Sequence, residues 1–239
     1  FMLLLIEIKL LYYLSRSAFM VLLEQTIANI ACEIPGATRV FHKFKLDFCC
    51  GGQQPLKDAI AHRNLDATLV ITELEQVQQL PSHEIDWRTA TPSALIDFIL
   101  ERFHAQHRIQ LPELIRLTNR VEHVHADKIG CPLGLGAHLV DMLRELEGHM
   151  QKEEQILFPM LKKGLNNSVQ GPIAMMRIEH EQHGECLDEI MHLTNDITPP
   201  VDACVTWRAL YTGLTQLRED LMQHIHLENN ILFANATTN

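Results

Sequence analysis

The run His149-Met-Gln-Lys-Glu153-Glu-Gln-Ile-Leu-Phe158 returns near the C-terminus as His224-Ile-His-Leu-Glu228-Asn-Asn-Ile-Leu-Phe233, and this duplication constrains the chain more than any bulk property. On an α-helix, residues four apart are separated by about 400° and roughly 6 Å of rise, so the imidazole and carboxylate of each copy point the same way. Each copy is a two-pronged grip for a metal ion. The Ile-Leu-Phe that closes each copy packs the helix end into an apolar core and aims the polar pair inward. A single His-x-x-x-Glu is more often an exposed helix pair of modest worth. Two copies with matched flanks reverse that balance.

A second pattern is duplicated with the first. Phe103-His104-Ala-Gln-His107 and Glu179-His180-Glu-Gln-His183 put a His-x-x-His on each of two further helical stretches. His104 and His180 are 76 residues apart and His149 and His224 are 75 apart, while the separations within the two hairpins are 45 and 44. Two helix hairpins related by a pseudo-two-fold axis therefore bring four imidazoles and two carboxylates, Glu153 and Glu228, to one level of a bundle interior. Spacing leaves open whether His104 or His107, and His180 or His183, faces the metal; the other member of each pair is expected beside the site or at its rim.

Such a set suits two metal ions, each with two terminal imidazoles, bridged by both carboxylates and a solvent-derived oxygen. Paired six-coordinate sites with open positions favour iron, whereas zinc is usually satisfied by four donors. The common ferritin-like set has four Glu and two His. With fewer carboxylates, the pair here is more positive, which stabilises ferrous iron and suits reversible binding of diatomic ligands.

Helical periodicity fills the rest of the chain and convincing strands are absent, so the expected class is all-α: a small N-terminal helical domain followed by an up-down four-helix bundle. The expected divisions are an apolar extension over 1–19, set aside as foreign to the fold; a helical domain over 20–80; a linker over 81–91; and the bundle over 92–239. In the first domain one helix is expected across 21–34, a short one up to Lys45, and two between Pro55 and Glu75, the second capped by Asp66. Thr91-Pro92 opens the bundle as an N-cap followed by proline at the first helical position. Its helices are expected near 92–120, with Pro112 as a kink or restart, and near 134–163, 171–195 and 201–233. On this reading His123 and His125 fall in a loop and His226 is exposed. Glu145 and Glu179 are read as helix-face carboxylates in preference to proton relays into the bundle, and Glu154-Gln155 is outer surface.

A formal net charge of −10 without a Lys/Arg cluster argues against a nucleic-acid partner. Glu7 and Lys9 interrupt the apolar start, which makes a membrane span the minority reading. Six cysteines without a small-scaffold spacing point to a reducing compartment, the cytoplasm. Of fourteen histidines eleven lie at or after His104, in the part of the chain that holds the repeat, which again points to metal or proton chemistry.

The remaining motif is Asp47-Phe-Cys49-Cys50-Gly51-Gly52, a vicinal thiol pair against two glycines that permit close backbone approach or positive φ. By spacing alone an inert role and a functional one weigh equally. Joined to a bundle bearing His149-x-x-x-Glu153-Glu-Gln-Ile-Leu-Phe-Pro159, however, the motif makes residues 21–233 resemble the iron–sulfur cluster repair di-iron family. The resemblance implies a haemerythrin-like bundle holding two non-haem iron ions, with ligands His104, His149, His180 and His224 and bridges Glu153 and Glu228. It also implies a redox or iron-transfer role for Cys49 and Cys50, and action in the cytoplasm under nitrosative and oxidative stress. The implied partners are iron–sulfur proteins with damaged clusters and nitric oxide or O2; whether a second copy joins in a homodimer is left open by the sequence. Repair by iron donation or by nitric oxide reduction at a ferrous pair is the implied function. The alternative is an O2 or nitric oxide sensor or carrier without turnover. Residues 1–19 have no counterpart in that family, and Ala234 follows Phe233 where the family often has proline.

Overall fold

The computed structural model describes residues 19–79, 85–165 and 168–237, so almost all of the expected extension 1–19 and the first residues of the expected linker lie outside the described residues. Among the described residues the regular elements are helices, and extended pairing is limited to one isolated bridge between Thr26 and Pro55. The chain divides into two compact units between Arg88 and Thr89.

The first unit holds α1 (Ile27–Glu33), α2 (Ala37–Lys43), α3 (Leu56–His62) and α4 (Ala67–Gln79). The helix expected over 21–34 is interrupted at Thr26, whose backbone is extended and whose hydroxyl accepts the Asn29 N–H at 3.2 Å. A threonine side chain offers the first turn a competing acceptor, so apolar periodicity that continues across it is cut into a new helix start. Ile27, Ile30, Phe41, Leu56, Ile71 and Leu74 form the buried centre of this unit. At the head of α4 Asp66 accepts the Thr68 N–H at 2.8 Å, as the cap reading requires.

The second unit is an up-down bundle of α5 (92–125), α6 (135–162), α7 (Gln170–Leu193) and α8 (205–237). Helix α5 packs against α6 and α8, and α7 against the same two, so α5 and α7 stand on one diagonal and α6 and α8 on the other. Thr91 caps α5 by accepting the Ala94 N–H at 3.3 Å, with Pro92 in the first turn. Pro112 does not restart the helix: α5 runs through it to His125. Losing one backbone hydrogen bond is outweighed there by burial of Leu111, Leu114, Thr118 and Val121. His123 and His125 accordingly sit on the last turn of α5, not in a loop.

Three of these helices carry a wide turn with i→i+5 bonding, at Leu100–His104 in α5, Glu153–Leu157 in α6 and Glu228–Leu232 in α8. The Phe158 N–H reaches Glu153 O and the Phe233 N–H reaches Glu228 O, so both turns begin on the carboxylate residue of the repeat. Such π-turns concentrate at functional sites, since the inserted residue re-aims the side chains that follow.

Candidate metal centre

All six residues singled out as candidate metal ligands converge in the bundle interior, and each is essentially inaccessible to solvent. Helix α5 contributes His104, α6 His149 and Glu153, α7 His180, and α8 His224 and Glu228. The donor atoms of His104, His224, Glu153 and Glu228 all lie within 4.8 Å of one another, and so do those of His149, His180, Glu153 and Glu228. Both carboxylates belong to both groups. Glu153 turns Oε2 to His104 Nε2 and Oε1 to His149 Nε2, each at 3.4 Å. Glu228 turns Oε1 to His224 Nε2 at 3.2 Å and Oε2 to His180 Nε2 at 3.0 Å.

The donor set fits a pair of cations. His104 and His224 face each other Nε2 to Nε2 at 3.1 Å, and His180 and His149 do the same at 3.1 Å. The Nδ1 of His104 lies 2.8 Å from Glu154 Oε1 and that of His149 lies 2.8 Å from Glu179 Oε2. A carboxylate only accepts, so each Nδ1 carries a hydrogen and each Nε2 is the atom turned to the centre, where the neutral imidazole offers its lone pair. His180 Nδ1 meets Asn229 Oδ1 at 2.9 Å and is oriented alike. Both oxygens of Glu153 are buried without a hydrogen bond of good geometry, so their charge rests on the two imidazoles at 3.4 Å or on a cation held between them.

Burial and the neighbouring Glu228 both oppose ionisation of Glu153, yet the surrounding imidazoles hold it below the usual carboxylate range. Burial opposes protonation of His149, but the Glu153 carboxylate overcomes it and pushes the imidazole up to about 9. Protons and metal ions therefore compete for one set of lone pairs.

The outer supports are the part that spacing did not reveal. Glu154 is no surface residue of indifferent role: it holds His104 and is itself held by Arg108 at 2.9 Å, whose guanidinium also grips Glu147. Likewise Glu179 is no plain helix-face carboxylate, since it accepts from His149 and pairs with Lys152. The available signal was adjacency, because each of these acids neighbours a predicted ligand in the chain. Aromatic rings complete the enclosure: Phe158 stacks on His104 at 5.7 Å, Phe233 on His180 at 6.0 Å and Phe103 on His224 at 5.4 Å.

His107 and His183 are not rim residues; both are buried beside the six-residue cluster. The His107 ring lies 5.4 Å from that of His224, and the His183 ring lies 4.8 Å from that of His149. Burial pushes His107 down to about 4 and His183 down to about 2, so both are neutral. The expected exposure of His226 is also overturned: it is buried, with Nδ1 2.9 Å from Asn230 Nδ2. One turn of α8 separates that pair, and burial of the helix on more than one face takes His226 inside.

In the first unit Cys49 is buried and Cys50 half-buried, with their sulfurs 3.5 Å apart as separate thiols. Asp47 organises the loop: its carboxylate accepts the N–H groups of Cys49 and Cys50 at 3.0 Å each and that of Gly51 at 2.7 Å. The Cys49 thiol donates to the same carboxylate at 3.3 Å. The hydrogen bond with Cys50 and burial push the Cys49 thiol well above its usual range, and the charge of Asp47 adds to both. Gly52 is needed for close approach and not for positive φ, since a Cβ there would meet the Phe48 carbonyl oxygen at 2.5 Å.

Comparison with known proteins agrees with this geometry. Residues 95–236 match the Hemerythrin HHE cation binding domain, and residues 23–78 match a domain of unknown function, DUF542. The chain is 50% identical over 213 residues to the iron-sulfur cluster repair protein YtfE of Dickeya chrysanthemi (strain Ech1591), covering 89% of this chain and 96% of the relative. The chain belongs to the YtfE family of iron–sulfur cluster repair proteins. The YtfE proteins of Citrobacter koseri (strain ATCC BAA-895 / CDC 4225-83 / SGSC4696) and Escherichia coli O157:H7 are each 48% identical over the same length and coverage. The haemerythrin match implies non-haem iron binding, and the buried His and Glu groups fit a di-iron site. Among the described residues of this YtfE family member, no helix is long and apolar enough to cross a membrane.

Proposed function

We propose that this protein holds two iron ions and uses them to restore iron–sulfur clusters damaged by nitrosative and oxidative stress in the cytoplasm. The observation that carries the reading is the sharing of Glu153 and Glu228 between two donor groups, each completed by two imidazoles. In this assignment His104 and His224 would hold one ion, His149 and His180 the other, and Glu153 and Glu228 would serve both. A ferrous pair held there would supply reducing equivalents and open positions for small ligands such as nitric oxide.

The chain's own residues favour a pair that can be given up. Four of six donors are neutral, so the net charge of the site only partly compensates two dications. In the opposite direction, Glu154 and Glu179 raise the basicity of His104 and His149 and so strengthen their hold, and Phe103, Phe158 and Phe233 stack on rings of the same level. In the first unit Cys50, the more accessible thiol, is assigned to receive iron or, with Cys49, to give up two electrons as the dithiol closes to a disulfide, while Asp47 keeps Cys49 protonated until then.

Metal analysis tests the site, and reactivation of a damaged iron–sulfur enzyme tests the role. Wild type is expected to carry two irons per chain and to restore the cluster. Glu153→Ala with Glu228→Ala is expected to stay helical, lose iron and lose repair, and two irons retained in that variant would sink the assignment. Nitrous oxide measured over repeated additions of nitric oxide to the reduced protein separates turnover from sensing. A single stoichiometric uptake without product supports a sensor or carrier instead.

A further inference from the structure

The reading of the six residues as a di-iron site leaves His107 and His183 without a task, and the fold gives them an unusual setting. Both are buried; Nδ1 of His183 has no hydrogen-bond partner, and neither nitrogen of His107 has one of good geometry, although Gln110 is a polar neighbour. Gln110, next along α5, gives its amide to Asp220 at 2.7 Å. A buried imidazole with open nitrogens destabilises a core, so its presence calls for a ligand that is not part of the chain.

The two are equivalent under the internal repeat, being 76 residues apart like His104 and His180. Each attends its own metal position: His107 lies against His224 of one group, and His183 lies against His149 and, at 6.5 Å, His180 of the other. Along α5 and α7 they stand one turn past His104 and His180. Along α6 and α8, which run the other way, Glu153 and Glu228 stand one turn past His149 and His224. The carboxylates therefore close one face of the pair, and the two spare imidazoles lie toward the opposite face. At the matching register of α6 and α8 stand Leu146 and Leu221, both buried, with the buried Asp220 carboxylate, held by Arg102 and Gln110, also near His107. Two imidazoles and two bridging oxygens give each ion four donors, and iron accepts up to six.

We propose that His107 and His183 form the ligand-holding face of the metal pair, each hydrogen-bonding a small diatomic or triatomic ligand bound at its own position. They do not ligate metal; they select and retain what the metal binds. The duplication puts one such group at each ion, which suits two small molecules bound side by side.

The test uses the full-length oxidised protein loaded with iron, with azide as the probe and its charge-transfer absorption as the readout. His107→Leu and His183→Leu are expected to keep two irons per chain while azide binds about tenfold more weakly, the loss of one hydrogen bond to a charged group. His183→Gln, which keeps a donor in similar volume, is expected to recover most of that loss. Iron falling from two to one in either leucine variant would show a ligand instead of a ligand-holding group. Unchanged azide affinity would reduce both residues to core filling, and failure of the glutamine to rescue would exclude the hydrogen bond. A wild-type protein without iron would overturn the di-iron assignment itself and so is told apart from these outcomes.

Discussion

Glu179 accepts the Nδ1–H of His149 at 2.8 Å, whereas the residue equivalent to Glu179 in the other hairpin, Phe103, lies flat on His224 at 5.4 Å. The repeat thus supports one imidazole with a carboxylate and its counterpart with a ring. Glu179→Leu removes the acceptor that orients His149, and loss of such an outer partner lowers metal affinity by about 10–100-fold. Competition against a chelator measures it, with far-ultraviolet circular dichroism expected to stay that of a helical bundle.

The same asymmetry makes the two metal positions unequal. His224 Nδ1 is buried without a partner, while His149 and His180 at the other position are both oriented, by Glu179 and Asn229. Iron is expected to leave in two phases, the faster from the position of His104 and His224. Glu154→Gln weakens the hold on His104 and should speed the fast phase while the slow phase keeps its rate. Equal acceleration of both phases counts against unequal positions.

Loading depends on pH with a definite sign. His149 has its folded pKa raised to about 9 in the metal-free site, so at neutral pH it is a cation paired with Glu153. That pairing stabilises the empty bundle fully below the ordinary histidine range and is lost as pH rises through about 9. Iron requires the neutral imidazole, so binding at pH 7 releases a proton and apparent affinity falls as pH drops. Proton release on loading in weak buffer is the direct measurement; no uptake or release at pH 7 would contradict it.

In the thiol loop Gly52→Ala places a Cβ 2.5 Å from the Phe48 carbonyl oxygen, a backbone atom that cannot swing away. The expected cost is about 1–3 kcal/mol, the range for overpacking, read by chemical denaturation. The two thiols should also differ toward iodoacetamide: Cys50 reacts first, and Cys49, held protonated, needs higher pH. Asp47→Asn is expected to narrow the gap, and peptide mapping of the alkylated chain decides it.

Much of the centre was legible because an α-helix converts spacing into direction. His-x-x-x-Glu at 149 and 224 projects two donors from one face whatever surrounds it, and duplication supplied the second half of the site. The helix breaks were legible where a cap or proline states them locally, as at Thr91-Pro92. They were misjudged at Thr26, where apolar periodicity continues across a break, and of the kink or restart expected at Pro112 the restart is excluded, since packing against α6 and α8 carries the helix through.

What the sequence determined by itself is the helical class, the two hairpins, the four donors His149, Glu153, His224 and Glu228 in matched register, and a His-x-x-His on each of the other two helices. Tertiary structure decided which oxygen of each carboxylate faces which imidazole, because that depends on four helices meeting at one level. It decided that Glu154 and Glu179 hold histidines and do not merely face water, since each reaches across to a neighbouring helix. It also started π-turns on Glu153 and Glu228, where the same i,i+4 spacing is compatible with an ordinary turn. Spacing fixes direction along one helix; only packing fixes distance between helices, and that distance makes two grips into one pair site.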